Sequence, residues 1–223
     1  MGASFSQIIG NHIHHINIQD RFSGAEMAGI KFHAPIDVLI KGNRIHDVWN
    51  ALWLDWMTQG TRVSSNLMYG CTYDIFLEVN HGPFVIDNNI CLSAKSRHVS
   101  QGGAYVHNLF ACEWGNWSDT RSTPYFKPHS TEKIGDHDMH VGDDRFYNNL
   151  FVGNGKEAFH YSENDNKMKL AWSYGLQCYK FRPQLPATGG NVYYFGAQPC
   201  SNEKALVIDD NPDIEIIEEG DNV

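Results

Sequence analysis

WLDWMTQGTRVSSNLMYGCTYDIFLEVNHGP, residues Trp53 to Pro83, is the stretch that decides the fold. It holds two carboxylates in similar surroundings, Asp55 in W-L-D-W and Glu78 in F-L-E-V. Asn66 lies between them and begins a pattern of asparagine, any residue, then an apolar residue. This pattern recurs at the same interval that separates the two acids. We interpret the interval as one coil of a repeating structure, so that the two acids lie one above the other.

The asparagine pattern recurs along the chain. It begins at Asn11, Asn43, Asn66, Asn89, Asn108 and Asn149. The two central intervals in residue number are both 23, and the next is 19. Apolar residues alternate ahead of several of these asparagines, which is typical of short strands. Asparagine tolerates the left-handed conformation and caps turns with its own amide, so we place each one at a corner between two strands.

Two repeat architectures use asparagine in this way. A leucine-rich repeat also needs an apolar residue eight positions before the asparagine. Those positions hold Pro35, Thr58, His81 and Ser100, which excludes the leucine-rich repeat. The other architecture, a right-handed parallel β-helix, has no such requirement. The predicted fold class is therefore all-β, with the chain wound as a right-handed parallel β-helix.

The predicted organisation is a β-helix over residues 1–199 and an acidic exit segment over 200–223. A long loop at 113–145 interrupts the repeat; it is polar and rich in Pro, Gly and His. Loops of this length in compact domains are usually functional or disordered, and the aromatic residues favour order. The chain ends on alternating residues without a cap, so we expect a fragment or shortened form with a missing or separate domain.

Composition restricts the function classes. The chain is 42% hydrophobic and 13% aromatic, with a formal net charge of −9. An acidic chain without a basic stripe is repelled by polyanions, so no nucleic acid is expected as a partner. No apolar run approaches the ~20 residues that would span a membrane. Five cysteines without a C-x-x-C pair and no visible signal peptide predict reduced, buried thiols and a cytoplasmic location.

The chemistry follows from the coil length. Asp55, Glu78 and Gln101 each lie twelve residues beyond a repeat asparagine, so we expect them in one column. Neighbouring strands are ~4.7–4.9 Å apart, which predicts carboxyl groups at roughly 5 Å. A retaining glycosidase needs its two carboxyl groups at ~5–5.5 Å, and an inverting one at ~6.5–9.5 Å. Trp53 and Trp56 beside Asp55 supply a surface on which a sugar can stack.

A family resemblance adds a substrate to this interpretation. W-L-D-W-M-T-Q-G-T-R-V, followed one coil later by L-E-V-N-H-G-P, resembles glycoside hydrolase family 120, which are β-xylosidases on a right-handed parallel β-helix. S-Q-G-G-A-Y-V-H-N-L-F and T-P-Y…P-H-S-T…G-D-D-R-F-Y-N-N extend the similarity over roughly residues 8–155. The resemblance implies that Asp55 is the nucleophile, Glu78 the general acid/base and Glu26 a carboxylate for sugar hydroxyls. Family members are longer, with further coils and a β-sandwich portion.

The predicted function is retaining hydrolysis of β-xylosides and xylo-oligosaccharides from their non-reducing ends, without a cofactor. Further candidate substrate-binding residues are His33, Trp56, Asn80, His81, Gln101, Arg121 and His129. Two alternatives stay open: a non-catalytic polysaccharide-binding or scaffold β-helix, and an arabinosidase on the same site. A truncated solenoid exposes an uncapped end, so we expect a homo-oligomer or association with a missing part of the enzyme.

Two histidine-rich stretches bear on metal binding. The run N-H-I-H-H at 11–15 is typical of a strand with one polar face, and the sequence identifies no further ligands for a zinc site there. The run D-H-D-M-H-V-G-D-D at 136–144 lacks the spacing of an EF-hand. We predict no metal in the catalytic site, and a cation at 136–144 stays open.

Overall fold

The computed structural model describes residues 3–17, 19, 26–156, 158–164 and 168–220. The regular secondary structure of this part of the chain consists of short strands and one 3₁₀ turn at Gln177–Tyr179. Within it, no helix has the length and apolar character to cross a membrane. The predicted all-β class is confirmed.

The strands are, in chain order, β1 (Gln7–Ile9), β2 (His12–His14), β3 (Ile30–His33), β4 (Leu39–Lys41), β5 (Arg44–His46), β6 (Asn50–Asp55), β7 (Arg62–Ser64), β8 (Leu67–Tyr69), β9 (Tyr73–Glu78), β10 (Phe84–Asp87), β11 (Ile90–Cys91), β12 (Lys95–Val99), β13 (Gly103–Val106), β14 (Leu109–Phe110), β15 (Glu113–Trp117), β16 (Ser122–Phe126), β17 (Lys133–Asp138), β18 (Arg145–Tyr147), β19 (Leu150–Val152), β20 (Phe159–Glu163), β21 (Lys169–Tyr174), β22 (Ala187–Gly189), β23 (Val192–Tyr194) and β24 (Leu206–Ile208).

Three parallel sheets run along the molecule. Sheet 1 has the order β1-β4-β7-β10-β13-β18-β22, and sheet 2 the order β2-β5-β8-β11-β14-β19-β23-β24. Sheet 3 begins β3-β6-β9-β12-β15 and is completed by the antiparallel strands β21 and β20. Each of the first five coils contributes one strand to each sheet in turn, so the fold is a parallel β-helix, as predicted.

A ladder of asparagine amides joins the coils at the corner between sheets 1 and 2. The Oδ1 atom of Asn66 accepts hydrogen bonds from the backbone N and from Nδ2 of Asn43, both at 2.9 Å. Asn66 in turn donates from Nδ2 to Asn89 Oδ1 at 2.9 Å and to the carbonyl of Ile40 at 3.1 Å. The same bonds continue from coil to coil as far as Asn191. These amides satisfy backbone groups that would otherwise be buried unpaired.

The left-handed residue at each corner is the one before the asparagine, whereas we expected the asparagine itself to adopt this conformation. Gly42, Ser65 and Asn88 have φ values of 65°, 56° and 55°. The ladder asparagines that follow them are absent from the positive-φ positions of the described chain. The asparagine is needed for its side-chain hydrogen bonds, while its predecessor makes the turn.

Two apolar clusters lie on opposite faces of sheet 3. Leu52 and Leu54 belong to the main core inside the coils. Trp53, Phe76 and Val99 form a smaller cluster with Trp117 packed against it. All six residues of β6 are buried as a result, and the second cluster supports the pocket described below.

The segment 113–145, predicted to be a loop, contains regular structure. Glu113–Trp117 continues sheet 3, and β16 pairs with β17 as an antiparallel hairpin. A repeat period does not encode such a hairpin, which is why its strands were missed.

The acidic segment 200–223 also contains structure that was not predicted. Leu206–Ile208 pairs in parallel with Val192–Tyr194, so sheet 2 extends beyond residue 199. Further along, the carboxylate of Glu218 lies 2.7 Å from the guanidinium of Arg44 and also contacts Tyr69. The segment therefore returns along the coils. The separate domain stays a prediction.

The five cysteines are all unpaired and buried, as predicted. Burial raises the pKa of the Cys71 thiol to about 11 and that of Cys178 to about 12. Their thiols are therefore protonated packing groups near neutral pH.

Replacing Asn66 by alanine tests the ladder. The substitution leaves two donors of Asn43 and the Ile40 carbonyl without partners, and each unpaired buried group costs about 1–3 kcal/mol. We expect the free energy of unfolding in urea to fall by at least about 2 kcal/mol. Asn11→Ala is the matched control, because Asn11 is exposed at the end of the ladder. Equal losses in the two variants would contradict the ladder's role.

Candidate active site

A pocket of about 410 Å³ lies on the outer face of sheet 3. It is lined by Glu26, His33, Trp49, Asn50, Trp53, Asp55, Trp56, Tyr73, Phe76, Glu78 and Arg97. The size suits a small ligand, and acids, bases and aromatic rings all contribute to the wall.

Strand register places the two candidate catalytic carboxylates next to each other. Asp55 and Glu78 are the last residues of β6 and β9, and they are directly paired in the parallel ladder. His33, the last residue of β3, pairs with Asp55 on the other side. The column therefore reads His33, Asp55, Glu78, with neighbouring strands ~4.8 Å apart.

Asp55 is enclosed by basic groups. It is only 3% exposed. Its Oδ2 atom lies 3.0 Å from Lys31 Nζ and 2.9 Å from His33 Nε2. Lys31 also contacts Glu26, and its ammonium group sits 3.5 Å above the Trp53 ring. A buried carboxylate needs such partners to hold its charge.

Glu26 shares the bases of Asp55. Its carboxylate contacts Lys31 and lies 3.6 Å from His33 Nε2. The hydrogen bond from Lys31 lowers the pKa of Glu26. Glu26 is thus an exposed, ionised group at the rim, with oxygens available to hydroxyl donors.

Glu78 has a different environment. Its side chain is 17% exposed, and Arg121 Nη2 donates to Oε1 at 3.1 Å. Arg121 is also held by Asp119, with Nε and Nη2 donating at 2.9–3.0 Å and 2.7 Å. One guanidinium is thus shared by Glu78 and Asp119, whereas Asp55 and Glu26 share two bases.

Arg97 forms the floor beside Glu78. Its guanidinium lies 3.3 Å from the Trp117 ring centre and 4.4 Å from that of Phe76. Burial lowers the pKa of Arg97 to about 10. The group therefore stays cationic at neutral pH and adds positive charge to the wall of the pocket.

Backbone strain marks both strand ends. Trp56 follows Asp55 with φ = 40°, and Val79 follows Glu78 with φ = 49°. A positive φ is uncommon for non-glycine residues and is an outlier for a β-branched one. Such strain is concentrated at functional sites, and here it occurs at equivalent positions of two coils.

Five of the eight predicted substrate-binding residues do not line the pocket, although one of them, Arg121, contacts Glu78. Asn80 is fully buried in a corner, where it accepts from Thr58 N and donates to Leu54 O. His129 is exposed and bonded to Asp37. The other two, His81 and Gln101, support the hairpin of β16 and β17.

The hairpin contacts of His81 and Gln101 are specific. His81 Nε2 meets Thr123 Oγ1 at 2.5 Å, and Gln101 bridges His81 and the backbone N of His140. Burial lowers the pKa of His81, and His137 adds to the effect. These two residues thus contact the hairpin and the residues after it, and the first hairpin strand begins directly after Arg121.

The expectation that Gln101 shares the catalytic column was wrong. Val99 is the partner of Glu78: the interval between paired residues of β9 and β12 is 22 at Tyr73 and Lys95 and falls to 21 at Phe76 and Arg97, where the register shifts by one residue. In sheet 3 the coil from Glu78 to Val99 is therefore two residues shorter than the coil from Asp55 to Glu78. Gln101 consequently lies beyond the strand end.

Lys31, Arg97 and Asp119 were not identified from the sequence. Lys31 pairs with Asp55, Asp119 pairs with Arg121, and Arg97 lines the pocket. Lys31 pairs with Trp53 in the ladder, one coil before it. The alternation in I-K-F-H, which puts Lys31 and His33 on one face, was a signal that could have identified it. Asp119 follows the end of β15, and no pattern in the sequence singles it out.

Glu26, His33 and Asp55 offer oxygen and nitrogen atoms within 4.8 Å of one another, as a metal site would. The ammonium group of Lys31, however, already contacts both carboxylates of this set, Glu26 and Asp55. The cation of this pocket is thus a side chain.

The Asp and His residues at 136–144 do not converge in the described structure. Asp136 pairs with Lys133 and Asp143 with Arg145, while Asp144 is buried near His98. These three acids are thus engaged separately, and the residues of this run are absent from the candidate metal groups among the described residues.

No protein-family model and no curated protein matches the chain. Among solved structures, the chain is similar to one described as the complex of XylC with xylose. The TM-score is 0.85 and the sequence identity is 42%, over 98% of this chain and 36% of that one. The chain thus spans about a third of the length of this neighbour.

Gln59→Ala tests whether the hairpin is anchored as described. Gln59 is buried, donates to the Phe126 carbonyl at 3.1 Å and accepts from Phe126 N at 2.8 Å. Without these bonds we expect faster amide hydrogen exchange across 122–138, with β6 and β9 unaffected. Gln198→Ala, elsewhere in the β-helix, is the control. Unchanged exchange in the hairpin would show that Gln59 does not hold it.

Proposed function

We propose that this chain carries the catalytic site of a retaining, β-xylosidase-like glycoside hydrolase related to family 120. The pairing of Asp55 with Glu78 across adjacent strands, inside an aromatic pocket, carries the proposal. Strand spacing predicts carboxyl groups at roughly 5 Å, the separation used by retaining enzymes. The 42% identity to a structure described with bound xylose supports a xylose unit as the sugar.

In the first step Asp55 attacks the anomeric carbon of a β-xyloside. The bond from that carbon to the leaving oxygen breaks, and Glu78 donates a proton to this oxygen as it departs. The product is a covalent xylosyl ester of Asp55 with inverted configuration. Lys31 and His33 hold the Asp55 carboxylate in place through Oδ2.

In the second step Glu78, now a carboxylate, removes a proton from a water molecule. The resulting oxygen attacks the anomeric carbon, and the bond to Asp55 breaks. Two inversions give net retention and restore both side chains. Arg121, shared with Asp119, orients Glu78 throughout the cycle.

The remaining pocket residues bind the sugar. Glu26 at the rim accepts hydrogen bonds from hydroxyl groups, and Trp56 presents an apolar face to the ring. Because the chain spans 36% of the xylose-bound neighbour, activity of this chain by itself is part of the proposal. Association with a second copy or with a further part of the enzyme, and a cytoplasmic location, remain proposals as well.

Two substitutions separate the roles of the carboxylates. Glu78→Gln removes the proton donor, so kcat/KM on xylobiose should fall by about 10²–10⁴-fold. Dinitrophenyl xyloside has a leaving group that needs no proton, so the first step on it should be much less affected. Asp55→Asn should abolish turnover of both substrates, because no nucleophile remains. Proton NMR of the wild-type reaction should show the β-anomer as first product.

Glu113→Gln is the matched control, since Glu113 lies on the same sheet with a side chain 18% exposed and paired with Lys95. It should turn over both substrates like the wild type. Undiminished turnover in Asp55→Asn would overturn the assignment. Binding of xylo-oligosaccharide by the wild type without any hydrolysis would favour the non-catalytic alternative, and faster turnover of an arabinoside would favour the arabinosidase.

A further inference from the structure

A second group of convergent side chains lies on the outer face of sheet 2, away from the pocket. His12 and His14 point outwards from β2 and are exposed, while His46 on β5 is buried. His14 and His46 are direct partners in the parallel ladder. The sequence identified no further ligand for the alternating histidines at 11–15. The structure places His46, from the next coil, beside them.

The nitrogen atoms of these rings converge. His12 Nε2 and His46 Nε2 are 2.8 Å apart. One ring nitrogen of each of His12, His14 and His46 lies within 4.8 Å of one from each of the other two. Ligand nitrogens of a tetrahedral zinc ion at ~2.0–2.1 Å lie about 3.3 Å from one another, so small rotations bring these atoms to the required spacing.

Asp47 prepares His46 for this role. Its Oδ2 atom lies 2.7 Å from His46 Nδ1 and so accepts the proton of that nitrogen. The lone pair of His46 is thereby directed to Nε2, the atom that faces His12. Histidine ligands of metals almost always donate their other N–H to a carboxylate or carbonyl in this manner.

Ring stacking alone does not account for the arrangement. His14, His46 and Tyr69 do stack, with ring centres 5.1 Å and 4.7 Å apart and planes within 10°. His12 also stacks on His14, with ring centres 4.3 Å apart, but towards His46 it directs a nitrogen and not a ring face. His15 adds a further nitrogen, 4.0 Å from Asp47 Oδ2. The cluster therefore concentrates donor atoms at one point.

We propose that His12, His14 and His46 bind a divalent transition-metal ion of the zinc class, with Asp47 as the positioning residue of His46. Imidazole ligands suit zinc, copper and nickel better than calcium or magnesium. Three histidines leave a fourth position open to water.

The ion would join the first coil to the second. His12 and His14 belong to β2, the edge strand of sheet 2, whereas His46 belongs to the interior strand β5. A metal that binds only when both strands are in place stabilises their pairing. The expected effect of the metal is therefore on stability of the amino-terminal coil.

The test is isothermal titration of chelator-treated full chain with ZnCl₂, together with thermal unfolding. One zinc per chain should bind the wild type and raise its Tm. His12→Ala should lose both effects, and because His12 is exposed the variant should fold normally, as circular dichroism without metal will show. Asp47→Asn should weaken binding by about 10–100-fold, the range measured for such supporting residues.

Two controls locate the site. His160→Ala removes an exposed histidine elsewhere and should bind zinc like the wild type. His33→Ala removes the histidine of the candidate active site, and this variant should also bind zinc like the wild type. Zinc binding that survives His12→Ala, or that is lost in His33→Ala instead, would overturn the proposal. Weak binding without saturation, equal in all variants, would overturn it too.

Discussion

Hydrogen bonds between stacked asparagine amides fix the position of each coil on the next. Asn43, Asn66 and Asn89 are all buried, and each uses its Oδ1 atom to hold the coil before it. A slip of one residue would turn every side chain of a strand to the opposite face. The same alignment of coils sets the pairing of Asp55 with Glu78 in sheet 3. The geometry of the pocket thus depends on amides in a different corner of the molecule.

The pocket gives its two central acids unlike surroundings. Asp55 is buried beside Lys31 and His33, whereas Glu78 is more exposed and shares one guanidinium with Asp119. Pairs of carboxyl groups that act as acid and nucleophile depend on such differences in environment. The difference arises from topology: the bases of Asp55 come from the preceding coil, and that of Glu78 comes from the segment leading into the hairpin.

The sequence predicts the structure correctly where the 23-residue interval between asparagines holds. Asp55 and Glu78 could be paired because the interval between them equals that of the asparagine ladder at its centre. Gln101 was misplaced because the next coil in sheet 3 is two residues shorter, and a register shift of one residue contributes half of that difference. The first interval, from Asn11 to Asn43, is 32 residues and so departs from the central interval of 23, which is why the period did not reach Lys31. The contact of Arg121 with Glu78 depends on the path of a hairpin, which no repeat encodes.

The amide ladder also has a direction. Each Nδ2 donates one of its two N–H bonds to the asparagine of the next coil, so the small dipoles of these amides add along the axis, as peptide dipoles do in an α-helix. The donor end is Asn191, and Glu203 accepts its last N–H at 2.7 Å while also accepting from Tyr193. A carboxylate thus faces the positive end of the column, as Asp or Glu does at a helix N-terminus. In this solenoid, aligned side-chain amides produce a dipole of the kind that aligned backbone amides produce in an α-helix.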